Sequence, residues 1–250
     1  MGAEVIEPDL VPTKDGVLVC RHEPEISGTT DVAHHPEFAD RRTTKTIDGF
    51  EYTGWFTEDF AFAELRTLRA VERLPELRQR NTIFDGYYLV PTFREALLVR
   101  QRMSDELGRT IGIIPEIKHS TYFRSLGFDV EARVVATLDA VGLNSAESPV
   151  VVQSFELTNL QQLRHVHGLR TRTVFLTSAE GAPADLVAAG DPRQCSRPAS
   201  TGCSPTPPTS VCSHATTSSG GRSHTLREES SPGSTHRIHP RSDAPAQPRR

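Results

Sequence analysis

The chain has 250 residues, 36% hydrophobic and 24% charged, with a formal net charge of −4, an ordinary globular composition that excludes fibrous and nucleic-acid-coating proteins. No run of about 18 apolar residues occurs, so no membrane-spanning helix is expected, and Met1-Gly2-Ala3-Glu4 shows no signal-peptide pattern. Charge is unevenly placed: residues 193–250 carry a local +5, which leaves −9 on residues 1–192.

Val5-Ile6 and Val17-Leu18-Val19, the latter followed by Cys20, read as strands. Residues 24–85 form a long, charged, aromatic-bearing stretch with no clean strand, too long for an ordinary connection, and are expected to be an inserted lobe over one rim of the fold. Thr92 and Glu95 then make a capping box that opens a helix running to near Gly108. Ile111 to Lys118 is a buried strand, and Val130, Val134, Leu138 and Val141 keep helical spacing until Gly142. Val150 to Phe155 gives another strand, Leu157, Leu160 and Leu163 a helix ending at Gly168, and Thr171 to Leu176 one more strand. The tail from Arg193 has eight Arg, no Lys, twelve Ser and eight Pro, with only Val211, Leu226 and Ile238 as large apolar residues. So few cannot offset roughly 1–2 kcal/mol per residue of backbone ordering, and the tail is expected to be disordered.

Strands apolar on both faces, separated by helices, need crossover connections, so the class is α/β with a mainly parallel sheet. Glycine-rich nucleotide and phosphate loops are absent, and polar residues sit at strand ends (Glu7 and Asp9, Glu116 and Lys118, Gln153 and Ser154). That favours a (β/α)8 barrel with its site on the C-terminal rim over an open doubly wound sheet.

Glu7 and Asp9 are two apart on a strand and share a face, as do Glu116 and Lys118. Three carboxylates on one rim make a hard-oxygen pocket suited to Ca²⁺ or Mg²⁺ rather than zinc, against the alternative of solvated acids and a salt bridge. His22, at a strand end, has the chemistry to move a proton near neutral pH. His34 and His35 read as a solvated loop pair, while His119, one residue past Lys118, is placed on the opposite face and, with His165 and His167, at the surface. Cys195, Cys203 and Cys212 lack zinc-site spacing, and the basic tail points to no specific nucleic-acid function.

Several segments together, Ile6-Glu7-Pro8-Asp9-Leu10, Thr13-Lys14-Asp15-Gly16-Val17-Leu18-Val19, Arg21-His22-Glu23, Ser27-Gly28-Thr29-Thr30-Asp31-Val32 and Pro115-Glu116-Ile117-Lys118, resemble glycerophosphodiester phosphodiesterases. The insert Gly54-Trp55-Phe56-Thr57-Glu58-Asp59-Phe60 is similar to the longer, bacterial, exported kind, and the resemblance covers Ala3 to Asp191. It implies a TIM-type barrel and hydrolysis of glycerophosphodiesters to sn-glycerol 3-phosphate and an alcohol. It further implies a divalent cation, Ca²⁺ or Mg²⁺, on Glu7, Asp9 and Glu116, with His22 as one of two catalytic histidines. Lys118 would lie beside the phosphate, and Trp55 and Phe56 would wall the substrate pocket.

The family's His-Arg-Gly strand, carrying the other histidine, belongs upstream of Glu7, and the last barrel strands belong after Asp191. Residues 1–192 are therefore expected to form an incomplete barrel, with residues 193–250 having the composition of out-of-frame translation of GC-rich coding sequence. Losing one proton-transfer residue predicts a drop of about 10²–10⁴-fold in rate. The alternative is a non-catalytic remnant that keeps the metal cluster, and an enolase-like barrel would require carboxylates on a third strand. The expected partner is a small glycerophosphodiester, with no nucleic acid and no membrane span, and an extracytoplasmic home for the full-length relative.

Overall fold

The structure is a computed structural model that describes residues 2–178 and 182–190 and the backbone of 211–212. The chain divides into units 1–214 and 215–250; the second, and with it most of the tail expected to be disordered, lies outside the described residues.

In chain order the strands are β1 (Val5–Ile6), β2 (Asp9–Pro12), β3 (Leu18–Cys20), β4 (Thr43–Ile47), β5 (Phe50–Gly54), β6 (Gly112–Ile113), β7 (Glu116–Ile117), β8 (Val151–Ser154), β9 (Arg172–Leu176) and β10 (Val211–Cys212). The helices are α1 (Phe62–Leu65), α2 (Phe93–Leu107), α3 (Ser120–Ser125), α4 (Val130–Ala140), α5 (Leu157–His165) and α6 (Ala184–Ala188). The main sheet runs β10-β9-β8-β7-β2-β3, parallel from β2 through β9, with β3 and β10 antiparallel at its edges. β1 and β6 pair in parallel below it. This is the α/β class read from the sequence; among the described residues the sheet is open and closes no barrel.

The two segments read as single strands are each broken at a proline. Pro8 separates β1 from β2 and Pro115 separates β6 from β7, because a proline has no N–H for the ladder. Pairing survives the breaks through Ile114 N–H to Ile6 O (2.9 Å) and Glu116 N–H to Pro8 O (2.9 Å). That register sets Asp9 opposite Glu116, and Glu116 opposite Gln153.

The helices form where their signals stand. Thr92 Oγ1 accepts from Glu95 N–H at 3.0 Å and the Glu95 carboxylate accepts from Thr92 N–H at 2.8 Å, while Gly108 ends α2 in the left-handed region at φ 61°. α2 buries Phe93, Leu97, Arg100 and Ser104, one stripe at helical spacing. α4 is capped by Asp129 and buries Val134 and Leu138, which join Ile113, Ile117, Val152 and Leu163 in the core between helices and sheet.

The inserted stretch corrects one expectation. Residues 24–85 do hold a clean pair of strands, the antiparallel hairpin β4–β5, with Ile47 opposite Phe50. Asp48 (φ 51°) and Gly49 (φ 87°) make its two-residue turn, with the positive φ at both positions that a type I′ turn requires. Short 3-10 turns at Val32–His34, Pro36–Arg41, Thr57–Asp59 and Gln79–Phe84 make up much of the rest of that stretch.

Candidate active site

The parallel register gathers the strand-end carboxylates. Glu7, Asp9 and Glu116 each present a ligand oxygen within 4.8 Å of the others. Glu7 follows β1 and is exposed, Asp9 opens β2 and is half-buried, and Glu116 opens β7 and is buried. Gln153 of β8 donates to Glu7 Oε1 at 2.8 Å, which orients that carboxylate. Lys118 Nζ lies 3.0 Å from Glu116 Oε1 and 3.8 Å from Asp9 Oδ1.

One ammonium does not balance three carboxylates. Burial pushes Glu116 up to about 6, with Lys118 pulling the other way and Asp9 and Glu7 adding to the rise. Glu7 is raised by burial and by Asp9. Lys118 Nζ, 3.0 Å from Glu116 Oε1, neutralises only one of the three carboxylates. A donor set of carboxylate oxygens with unbalanced negative charge fits a hard divalent cation of the Ca²⁺ or Mg²⁺ type.

His22 follows β3, is exposed, and places Nδ1 2.8 Å from Glu23 Oε1. The contact is that of an ion pair between the imidazole and the neighbouring carboxylate. The second Glu23 oxygen, Oε2, lies 3.0 Å from His119 Nε2. The His119 bond holds the Glu23 carboxyl below its usual range despite burial, with His22 and Lys118 acting in the same direction.

His119 corrects the sequence reading. Strand alternation assigned it to the opposite face and the surface, but β7 ends at Ile117, and at His119 the backbone turns to φ 51° and ψ 42°. The ring is 13% exposed, and its Nδ1 is 2.6 Å from Asp48 Oδ2 at the hairpin turn. Burial opposes its charge, yet the bonds to Asp48 and Glu23 raise it to about 9. Its signal was legible only in part: Asp48-Gly49 is a strong hairpin turn, but its meeting with His119 is 71 residues long-range.

A cavity of about 700 Å³ adjoins Glu116, Lys118 and His119, walled by Phe50 of the hairpin, Tyr122 of α3 and Phe155. Trp55 and Phe56, expected to wall the pocket, are not among its lining residues. They are buried instead: Trp55 packs in the hydrophobic core with Phe38 and Phe60, its Nε1 donating to Phe38 O at 2.6 Å, and Lys45 Nζ lies 4.7 Å from the buried Phe56 ring centre. Phe50, the first residue of β5 after the turn, takes that place because it stands at the hairpin tip, whereas Trp55 and Phe56 follow the end of β5. Glu156, missed in the sequence, also lines the cavity; burial pushes it up to about 7, and Thr121 N–H donates to its carboxylate at 2.9 Å.

The other histidines lie apart. His35 pairs with Glu37 at 3.0 Å and Asp31 at 3.4 Å, His167 lies 3.5 Å from Asp129, and His34 and His165 are exposed. Cys20 is a free thiol that burial pushes up to about 12, and Cys195 and Cys203 lie outside the described residues.

Fold and site together define an α/β protein with an oxygen-rich, cation-fitting centre at the ends of parallel strands. The sequence pattern of the Glycerophosphoryl diester phosphodiesterase family matches residues 1–198, and the chain belongs to that family. It is similar to the glycerophosphodiester phosphodiesterase GDPD6 of Arabidopsis thaliana, 36% identical over 171 residues that cover 64% of this chain and 44% of that protein. The glycerophosphodiester phosphodiesterase of Haemophilus influenzae is 24% identical over 170 residues, covering 65% and 44%. Among solved structures, an Oleispira antarctica phosphodiesterase in complex with the product sn-glycerol-3-phosphate aligns at 17% identity and a TM-score of 0.46, covering 76% of this chain and 62% of that one. The chain spans under half the length of the two curated relatives.

Proposed function

We propose that this chain carries the metal-binding half of a phosphodiesterase site that hydrolyses glycerophosphodiesters to sn-glycerol 3-phosphate and an alcohol. The observation that carries the reading is the convergence of Glu7, Asp9 and Glu116 within 4.8 Å, beside Lys118. Family membership supports the same chemistry. Glu7, Asp9 and Glu116 would hold a Ca²⁺ or Mg²⁺ ion, whose chemistry is to neutralise charge on a phosphoryl oxygen. Lys118, beside Glu116 at 3.0 Å, would contribute a point charge for the phosphate. His22 would move a proton at a reacting oxygen, with the Glu23 carboxylate 2.8 Å from its Nδ1. Phe50, Tyr122 and Phe155 bound the cavity on the side where the alcohol portion would sit.

The finer placing follows the same line. The insert segment Gly54 to Phe60 supports the exported, bacterial subgroup, and with it an extracytoplasmic site of action.

The test is hydrolysis of glycerophosphocholine by the full chain with Ca²⁺ or Mg²⁺, read as released sn-glycerol 3-phosphate, for the wild type and His22→Ala. Metal-dependent release that His22→Ala lowers supports the reading. Equal rates in the two proteins would remove His22 from the mechanism, and cation binding without release would mark a binding remnant.

A further inference from the structure

Among the described residues only two non-glycine residues have left-handed backbone, Asp48 and His119, both at φ 51°, and they are hydrogen-bonded to each other. For Asp48 the conformation is the ordinary one for its turn. For His119 it is a strained conformation, since its Cβ crowds the following carbonyl, so the surroundings must hold it there.

What holds it are two carboxylates. Nδ1 is 2.6 Å from Asp48 Oδ2 and Nε2 is 3.0 Å from Glu23 Oε2. Both acceptors lack protons to give, so both ring nitrogens donate and the ring is an imidazolium. The other Glu23 oxygen lies 2.8 Å from His22 Nδ1, an ion-pair contact. A chain of polar contacts therefore runs from the hairpin tip through the two His119 hydrogen bonds to Glu23 and on to His22. The charged and titratable groups around it are Lys118, which acts on Glu23, Tyr52, on which Glu23 and Asp48 act, and Glu156, on which Asp48 acts.

We propose that His119 is a positioning residue of this site: its imidazolium, shared between Asp48 and Glu23, latches the β4–β5 hairpin to the strand-end rim and fixes the carboxylate that aims His22. His22 needs such help because its side chain is 47% exposed and, among the described residues, its ion pair is with Glu23. Without His119, Glu23 is free to rotate and His22 loses its single orientation and tautomer. The proposal rests on His22 being the proton carrier of the function proposed above, but its test does not depend on turnover.

The experiment is long-range ¹H–¹⁵N correlation of the imidazoles in the full chain. In the wild type, His22 is expected as one tautomer protonated on Nδ1, and His119 as doubly protonated to about pH 8. In His119→Phe, His22 should spread between tautomers. Asp48→Asn, at an exposed turn that keeps its hydrogen-bonding geometry, should let His119 lose a proton below about pH 8. If His119→Phe does not fold, Asp48→Asn alone decides. A His22 tautomer unchanged in His119→Phe, or a His119 titration unchanged in Asp48→Asn, overturns the proposal. In protein that hydrolyses glycerophosphocholine, His119→Phe should lower kcat about tenfold and leave KM within about twofold, the mark of misaimed chemistry rather than lost binding. An unchanged kcat also overturns it. A chain without turnover defeats the proposed function and leaves the imidazole signals to decide this one.

Discussion

Replacing Glu116 by glutamine should stabilise the metal-free protein and weaken its response to cations. The Glu116 side chain is 8% exposed and its carboxyl sits at about 6, against 4.5 when free, because burial and the neighbouring Asp9 and Glu7 disfavour its charge. A carboxyl raised in the folded state binds its proton more tightly there than in the unfolded chain. Folded stability therefore falls as pH rises from about 4.5 through about 6, and the whole cost stands above that. At 1.36 kcal/mol per pKa unit, the ionised side chain costs about 2 kcal/mol at neutral pH, and the isosteric amide removes that cost. A cation at about one hundred times its Kd adds about 2.7 kcal/mol to the wild type, and each tenfold weakening of Kd takes away about 1.4 kcal/mol. The assay is urea denaturation at pH 5 and pH 7.5, in chelator and in excess Ca²⁺ or Mg²⁺, for the wild type and Glu116→Gln. Wild type should be the less stable protein in chelator at pH 7.5 and the more strongly stabilised one in cation. A Glu116→Gln protein that is less stable than wild type in chelator at pH 7.5, or a wild type unmoved by either cation, would refute the reasoning.

The His119 charge makes the opposite contribution. Its folded value near 9 lies above the free value of 6.5, so its stabilisation is complete below about pH 6.5 and disappears as pH rises through about 9, which thermal melts across that window should show and Asp48→Asn should flatten. Thr92→Ala removes the acceptor for Glu95 N–H at the start of α2 and should cost about 1 kcal/mol in urea denaturation. Gly54→Ala would press a methyl against the Glu25 carboxylate, which is tied to Ser27 N–H at 2.8 Å, and should cost about 1–3 kcal/mol by the same measurement. Lys118→Gln should raise KM for glycerophosphocholine more than Lys118→Arg does, as steady-state kinetics on active protein would report, because only arginine keeps a cation beside the phosphate.

Local chemistry was enough to place the framework. The Thr92–Glu95 box, the glycines after α2, α4 and α5, and the apolar periods of α4 and α5 act within a few residues of themselves, and all appear in the structure. The same holds for the Glu7, Asp9 and Glu116 grouping, since an identical two-residue spacing on adjacent parallel strands puts their side chains on one rim. The hairpin escaped notice although Asp48-Gly49 marks its turn, because Thr43 to Ile47 and Phe50 to Gly54 lack a clean apolar face to give them a period.

Tertiary structure alone decided the rest. Trp55 and Phe56 look like pocket aromatics in sequence, yet where each ring goes depends on how the inserted stretch packs onto the rest of the core, where Trp55 joins Phe38 and Phe60. His119 looks like a surface residue as long as the strand is assumed to continue; one left-handed residue turns its ring inward instead, onto carboxylates 71 and 96 positions away. A sequence fixes periodicity and caps through forces between near neighbours, whereas the pairing of Asp48, His119, Glu23 and His22 depends on which distant backbone segments the sheet and the hairpin bring within hydrogen-bond range.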